Sequence, residues 1–170
     1  MSIHSRVDQD TARALIGEWL SLSPPSTVES SIKVTPTEAL YTPPSLTHPD
    51  EHASRSLLLG ILHKIAGHPS ESRPFLQESA RLAKEHDAKW VGLCANYELA
   101  LLCLAELDHH PVDDGVWKPT LAMTKADTYL DAAMSFSGRE VEMSGRVESR
   151  INMVKQQMAL RKEKLKLEQL

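Results

Sequence analysis

The sequence predicts an all-α protein of about six helices, packed as antiparallel hairpins. From residue 50 onward, apolar residues recur at steps of three and four, which is the spacing of one helix face. The alternation of apolar and polar residues that marks a strand does not persist beyond a few positions. Residues 139–170 contain no proline and a single glycine, as expected of one long helix.

Residues 1–49 are predicted to form a short helix followed by an irregular connector. Ala12, Ile16 and Trp19 fall on one helical face. Six of the ten prolines lie in residues 22–50, a stretch that is also rich in Ser and Thr. Because proline fixes φ and biases the preceding residue toward extended geometry, this stretch is not expected to be helical throughout.

Residues 50–136 are predicted to hold the helical hairpins. The first helix of this region should end at Gly67, because a glycine just past a helix end, followed by proline at position 69, is a stop signal. The next helix is expected to carry Pro74 in its first turn, where a missing N–H costs little. A further helix is expected over residues 121–136.

Residues 90–107 are predicted to form a helix buried on nearly all sides, since Glu98 is the one charged residue between positions 91 and 105. The favoured interpretation is that Glu98 pairs with a basic side chain of a neighbouring helix or reaches the surface. The alternative is a buried acid or base with a raised pKa. Cys94 and Cys103 should lie about 13 Å apart along this helix, too far for a disulfide.

Residues 137–170 are predicted to form a long C-terminal helix with an apolar packing seam and a basic face. The seam follows steps of four, three, four and seven, at Val147, Ile151, Val154, Met158 and Leu165. The basic residues are Lys155, Arg161, Lys162, Lys164 and Lys166. A solvated helix face is the plainer interpretation. The alternative is binding to an anionic membrane surface through this helix.

Two segments carry the spacing of a tetratricopeptide repeat, in which a Leu-Gly pair in the first helix lets the second helix approach closely. The first segment places the repeat positions at Leu59, Gly60, Gly67, Ser72, Leu76 and Ser79. The second, looser segment places them at Leu99, Ala100, Ala126, Leu130 and Ala133, with an insertion around residues 108–119. The spacing predicts tetratricopeptide-like hairpins that end in the long helix; an ordinary helical bundle is the alternative.

A narrower resemblance rests on three segments, at residues 57–64, at residues 94–100 with Tyr97, and from residue 132 through Arg146 to Ile151. They resemble the C-terminal part of the tetratricopeptide repeat protein 39 and fungal inclusion-body clearance protein family, over roughly residues 50–154. The resemblance implies a non-enzymatic adaptor that binds a protein partner, in which Tyr97 and Glu98 are structural. It implies a place in the cytoplasm and nucleus, and for the fungal branch at lipid droplets, the mitochondrial outer membrane and protein inclusions. Because family members are longer, the resemblance also implies a C-terminal fragment or a short relative.

Charge and hydropathy disfavour several classes of protein. The 19 Lys and Arg against 23 Asp and Glu give a net charge of -4, which argues against a nucleic-acid binder. Residues 139–170 alone carry 8 basic and 5 acidic groups, a net +3, so an anionic partner for this part is compatible with the composition. With no uninterrupted apolar run of about 18 residues and no signal-peptide pattern, a soluble intracellular protein is expected.

The motifs of common enzyme classes are not found in the sequence. There is no Gly-x-Ser-x-Gly elbow and no glycine-rich phosphate loop, so we expect no enzymatic activity, catalytic residue or cofactor. The polar segment 108–115, and His48 with His52, are interpreted as solvated residues and not as metal ligands. Ile61 and Leu101 stand where a carboxylate-clamp asparagine would follow the Leu-Gly pair, which disfavours docking of chaperone tails.

Overall fold

A computed structural model of the chain describes residues 7–22, 28, 45–109, 119–138 and 144–167. Over these ranges the chain forms six helices and no β-strand, which confirms the all-α prediction. The helices are α1 (Gln9–Leu20), α2 (Pro49–Ile65), α3 (Pro69–Glu85), α4 (Lys89–His109), α5 (Pro119–Ser135) and α6 (Ser144–Leu167). Most of the predicted connector at 22–50 lies outside the described residues.

The helices stack in chain order. Each helix contacts the next one, so that α1 packs on α2, α2 on α3, and so on to α6. In addition, α2 contacts α4, and α4 contacts α6. The helices α2, α4 and α6 are therefore neighbours on one side of the array.

Three apolar clusters follow one another along this stack. The N-terminal cluster joins α1, α2 and α3 through Ala12, Ile16, Leu59, Leu62, Ala66 and Phe75. The middle cluster joins α2, α3 and α4 through Ala53, Leu57, Leu76, Ala83, Ala88, Val91, Ala95, Leu99 and Leu102. The C-terminal cluster joins α4, α5 and α6 through Leu93, Ala100, Cys103, Met123, Ala126, Leu130, Ala133, Ile151 and Met158. Each cluster involves only near neighbours, so the core is a chain of local interfaces.

The end of α2 is set by Gly67, as predicted. Gly67 has a φ of +83°, which glycine adopts at little cost. The N–H of Gly67 donates to the carbonyl of Lys64 at 3.2 Å, and the N–H of His68 donates to the carbonyl of His63 at 2.9 Å. These two hydrogen bonds form a Schellman motif, which satisfies the last carbonyls of α2 and turns the chain into α3.

His48 caps the N-terminus of α2. His48 is the N-cap residue, and its ring nitrogen Nδ1 accepts from the N–H of Asp50 at 3.3 Å. The Glu51 carboxylate accepts in return from the N–H groups of Thr47 and His48, and these two hydrogen bonds hold the pKa of Glu51 below its usual value. His48 therefore serves as half of a capping box.

The prediction for Pro74 was wrong. Pro69 occupies the first position of α3, so Pro74 lies inside the helix, one and a half turns from its start. Since proline has no N–H, the helix lacks the hydrogen bond that residue 74 would donate to the carbonyl of Ser70. The sequence pattern predicted too late a start for this helix, because Pro69 was interpreted only as part of the stop signal of α2.

By length and composition, α4 could cross a membrane, contrary to the expectation based on uninterrupted apolar runs. Its window over Lys89–Leu107 has a mean hydropathy of 1.4, and 56% of that window is buried inside the protein. The core helix of a soluble protein passes the same test. Because α4 contacts α2, α3, α5 and α6, we interpret it as the central helix of the stack.

Candidate interaction surface

The two helices of the first hairpin, α2 and α3, approach each other closely at Gly60. A Cβ atom on Gly60 would lie 2.6 Å from Cγ and 2.7 Å from Cδ2 of Leu76, and 3.1 Å from its backbone nitrogen. Carbon atoms in good contact lie about 3.5–4.0 Å apart, so a side chain would not fit there without a shift. Leu59 and Leu76 are themselves buried. The glycine at this position allows α3 to lie directly on α2.

Two serines of α3, Ser72 and Ser79, donate hydrogen bonds to the backbone of α2. The Ser72 hydroxyl donates to the carbonyl of Gly60 at 2.7 Å, and the Ser79 hydroxyl donates to the carbonyl of Ala53 at 2.9 Å. Both serines are fully buried. A buried hydroxyl is costly unless it is hydrogen-bonded, and these bonds explain why serine is tolerated between the two helices.

In the second hairpin, the repeat positions predicted from the spacing are also buried. Ala100, Ala126, Leu130 and Ala133 belong to the C-terminal cluster, and Leu99 belongs to the middle cluster. Tyr97 is half-buried and packs against the C-terminal cluster. The predicted positions therefore lie between helices in both hairpins.

A second close approach, which the sequence reading missed, lies at Gly92 near the start of α4. A Cβ atom there would lie 2.6 to 2.8 Å from three ring carbons of Phe136. Phe136 follows the last residue of α5, so its ring covers the end of the second hairpin. The glycine was not recognised because its partner lies more than forty residues further along the chain.

Glu98 is buried, with 4% of its surface exposed, and its carboxylate forms an ion pair with Lys64 on α2. This contact confirms the interpretation that Glu98 pairs with a basic side chain of a neighbouring helix. Burial, together with the nearby Glu98 carboxylate, raises the pKa of the Cys94 thiol to about 11. Burial and Glu98 also raise the pKa of Tyr97, against an opposing effect of Arg150. At neutral pH the Cys94 thiol is therefore protonated and a poor nucleophile.

Cys103 is buried and both cysteines are free, as predicted. Arg73 on α3 reaches α4 at this point. Its Nη2 lies 2.6 Å from both carboxylate oxygens of Glu106, and its Nη1 lies 3.7 Å from Sγ of Cys103. These contacts connect α3 to α4.

Arg55 is a buried cation that the sequence reading missed. Only 1% of its surface is exposed, and its Nε donates to the carbonyl of Trp19 at 2.9 Å. Its Nη2 lies 3.4 Å from the carbonyl of Leu20. These carbonyls belong to the last turn of α1, where a cation is favoured by the helix dipole. Arg55 therefore holds the end of α1 against α2.

A groove lies between α4 and α6, on the side of the stack where α2, α4 and α6 adjoin. Its volume is about 250 Å³. It is lined by Leu101, Leu104, Ala105, Val154, Gln157, Met158 and Arg161. Glu98, Leu101 and Ala105 follow one another at steps of three and four, so the groove continues the face of α4 that Lys64 reaches.

A larger and more polar groove, of about 810 Å³, lies between the ends of α3 and α5. Its lining includes Arg81, Lys84, Lys89, Asn96 and Ser135. Arg81 is already bound to Glu78 and Glu85, at 2.8 and 2.6 Å. Asn96 is buried at the floor and donates to the carbonyl of Gly92 within its own helix.

The basic residues of α6 are partly occupied within the fold. Lys155 pairs with Asp131, and Lys162 lies 3.0 Å from Asp127, so both bind α5. Arg161 is exposed and lines the groove between α4 and α6. The side chains of Lys164 and Lys166 lie outside the described residues. The predicted basic face therefore also serves to hold α6 on α5.

Four of the five positions of the predicted apolar seam of α6 face the stack, and the side chain of Leu165 is not among the described ones. Ile151 and Met158 are buried, and Val147 and Val154 pack against the same C-terminal cluster. On the outer side of α6, Met153 and Leu160 are 60% and 67% exposed. They are seven residues apart, which places them on one face two turns from each other.

Within the described ranges, no group of three or more His, Cys, Asp and Glu is positioned to hold a metal ion. The structure describes none of the side chains of the polar segment 108–115, so the interpretation of that segment stays a prediction. Comparisons with protein-family models, with curated proteins and with solved structures each gave no match.

Proposed function

We propose that this chain is a non-enzymatic interaction module of tetratricopeptide type, which binds a protein partner in the groove between α4 and α6. The observation that carries the proposal is the close approach at Gly60. That glycine allows α3 to lie directly on α2, and this close contact supports a hairpin of the tetratricopeptide kind. The serial contacts of the six helices, with α2, α4 and α6 as neighbours, support the same arrangement.

The groove has the character of a site for an apolar anchor residue. Leu101, Leu104 and Val154 provide apolar walls, and Gln157 and Arg161 provide polar groups at the same groove. Interfaces are held mainly by a few apolar or aromatic side chains that enter such pockets, surrounded by polar contacts. At about 250 Å³, the groove has room for a side chain of a partner but not for a large cofactor.

A pair of matched substitutions tests this proposal. Ala105→Lys places a long side chain in the groove, whereas Met153→Lys makes the same addition of charge on the outer side of α6. The full chain and both variants are used to capture proteins from the source cells, and a captured partner is purified and titrated. We expect Ala105→Lys to abolish binding and Met153→Lys to retain it, with the same helicity in circular dichroism. Equal binding by both variants would exclude the groove.

The resemblance to the tetratricopeptide repeat protein 39 and inclusion-body clearance family extends the proposal to a cellular role. On that basis, the module acts as an adaptor in the clearance of protein inclusions or the maintenance of lipid droplets, in the cytoplasm. Deletion of the chain in its source cells, followed by imaging of inclusions and droplets, tests this role. If the numbers of inclusions and of lipid droplets are unchanged under stress, this cellular role is excluded.

A second candidate is binding to a membrane or lipid-droplet surface through α6. The observation that favours it is the outer face of α6, where Met153 and Leu160 are both more than half exposed. Amphipathic helices bind such surfaces by inserting apolar side chains beside basic ones. Arg161, next to Leu160, is exposed on the same helix.

Flotation with lipid vesicles separates the two candidates. The full chain and the double variant Met153→Ser, Leu160→Ser are mixed with neutral vesicles and with vesicles rich in anionic lipid. Surface binding requires that anionic vesicles retain the wild type and release the double variant. If no vesicle retains the wild type, this candidate fails and the protein-binding groove remains.

A further inference from the structure

The turn between α2 and α3 brings two imidazole rings into proximity. In a Schellman motif, the residue after the glycine commonly makes an apolar contact with the residue three places before the cap. In this turn those two positions are His68 and His63, and their ring centroids are 6.1 Å apart. The turn therefore has titratable groups where apolar side chains are usual.

His63 is buried without a hydrogen-bond partner. Only 6% of its surface is exposed, and neither Nδ1 nor Nε2 has a partner. Its ring stacks on Phe75 of the N-terminal cluster, with centroids 5.3 Å apart and planes at 11°. A neutral imidazole already brings one unpaired donor into this apolar site, and a protonated imidazole would bring a second donor and a charge.

The charged and titratable groups around His63 come from three elements. Glu71 on α3 favours the protonated ring, whereas His68 in the turn disfavours it. On α2, the adjacent Lys64 is held by Glu98 of α4. The residues Ala12 and Ile16, through which α1 enters the N-terminal cluster, carry no charge. Burial is the strongest of these influences, and together they lower the pKa of His63 below its usual value.

We propose that the α2–α3 turn is an acid-sensitive element, in which protonation of His63 loosens the packing of α1, α2 and α3 around Phe75. The C-terminal cluster, formed by α4, α5 and α6, keeps its packing under the same conditions. Mild acid thus exposes the apolar face of the first hairpin while the groove between α4 and α6 persists. This element is independent of the partner proposed for that groove.

The direction of the pH effect follows from the lowered pKa. The unfolded chain has an ordinary histidine pKa of about 6.5, so below this pH it binds more protons than the folded chain does. The contribution of His63 to stability is complete above about pH 6.5 and falls as the pH drops toward its folded pKa. Each unit between the two pKa values changes the opening constant by up to about tenfold.

Two measurements on the full chain test the proposal. The first is an NMR titration of the histidine ring protons, in which we expect the pKa of His63 to lie below the ordinary histidine value of about 6.5. The second is amide hydrogen exchange at pH 7.5 and 5.5, corrected for intrinsic rates. We expect opening of α1, α2 and α3 to increase several-fold at pH 5.5, and that of the buried amides of α4 and α5 to change much less.

Variants separate His63 from the other histidines. His63→Phe keeps a ring against Phe75 without a titratable group, and His63→Gln keeps a polar group. Both should remove the acid-induced opening of α1–α3, while His68→Gln should retain most of it. If His63 titrates at or above the ordinary histidine pKa of about 6.5, or if both His63 variants open as the wild type does, the proposal is wrong. Should neither variant fold, the titration of the wild type decides.

Discussion

The packing at Gly60 leads to a prediction whose sign depends on the structure. In an open helix position, glycine to alanine stabilises a helix by about 0.8–1 kcal/mol. At Gly60 the new Cβ would lie 2.6 Å from Cγ of Leu76, about 1 Å inside a normal carbon contact. Leu76 is fully buried, and its backbone nitrogen is only 3.1 Å from the new atom, so α3 itself must move.

Overpacking of this kind costs about 1–3 kcal/mol. After the propensity gain, we expect Gly60→Ala to lower the free energy of unfolding by up to about 2 kcal/mol. Gly17→Ala is the matched control, because Gly17 lies inside α1 and its Cβ would meet nothing within 4 Å. That variant should be more stable than the wild type.

The free energy of unfolding of the wild type, Gly60→Ala and Gly17→Ala is measured by urea denaturation followed by circular dichroism. A double-mutant cycle sharpens the test, since shortening Leu76 to alanine should cost less in the Gly60→Ala background than in the wild type. If Gly60→Ala is stabilising to the same degree as Gly17→Ala, then α2 and α3 are not in close contact. The repeat-like packing would then have to be abandoned.

Four further predictions follow from individual contacts. Arg55→Met should lower the free energy of unfolding by about 2 kcal/mol or more, because the carbonyls at the end of α1 lose a buried charged donor. Amide hydrogen exchange should increase first in α1, and unchanged exchange there would contradict this role of Arg55. Gly92→Ala should lower the free energy of unfolding less than Gly60→Ala does in the same urea assay, because the ring of Phe136 can rotate away from the new Cβ. An equal or larger decrease would contradict this. In a Cys103→Ser background, Cys94 should react slowly with a thiol reagent at pH 8 and faster as the pH rises toward about 11, and fast reaction at pH 8 would contradict its burial. The double variant Lys155→Ala, Lys162→Ala should lower the free energy of unfolding by no more than about 1–2 kcal/mol, because both ion pairs are open to solvent. The decrease should be smaller at high salt, and a larger decrease in urea unfolding would contradict this.

The elements that local sequence patterns determine were predicted well. Gly67 and the following proline marked the turn between α2 and α3, and the turn has the expected glycine geometry. The apolar seam of α6 was also visible in the sequence, because Ile151 and Met158 follow the spacing of one helix face. Such features depend on residues within one or two helical turns of each other.

The features that the sequence reading missed depend on distant parts of the chain. Arg55 is buried because the end of α1, some 35 residues earlier, supplies carbonyl acceptors. Gly92 is constrained by Phe136, and His63 lies under Phe75 and the α2–α3 turn. In each case the residue type and its neighbours in the sequence do not indicate the contact, because the contacting group lies on or next to another helix. Only the packing of the helices shows the role.

The candidate groove could not be predicted from the sequence either. Leu101 and Ala105 were visible as apolar positions of a buried helix, but the way in which α6 crosses α4 leaves them partly uncovered. Local spacing can indicate which residues face a neighbour. It does not indicate where two neighbouring helices diverge and leave a space between them.

The central claim is that the chain acts by binding a protein in the groove between α4 and α6. The most direct test is calorimetric titration of a purified partner with the wild type, Ala105→Lys and Met153→Lys, each checked for equal helicity. The account predicts that Ala105→Lys weakens binding at least about tenfold, a loss of about 1.4 kcal/mol, while Met153→Lys stays close to the wild type. Undiminished binding by a folded Ala105→Lys protein would contradict it.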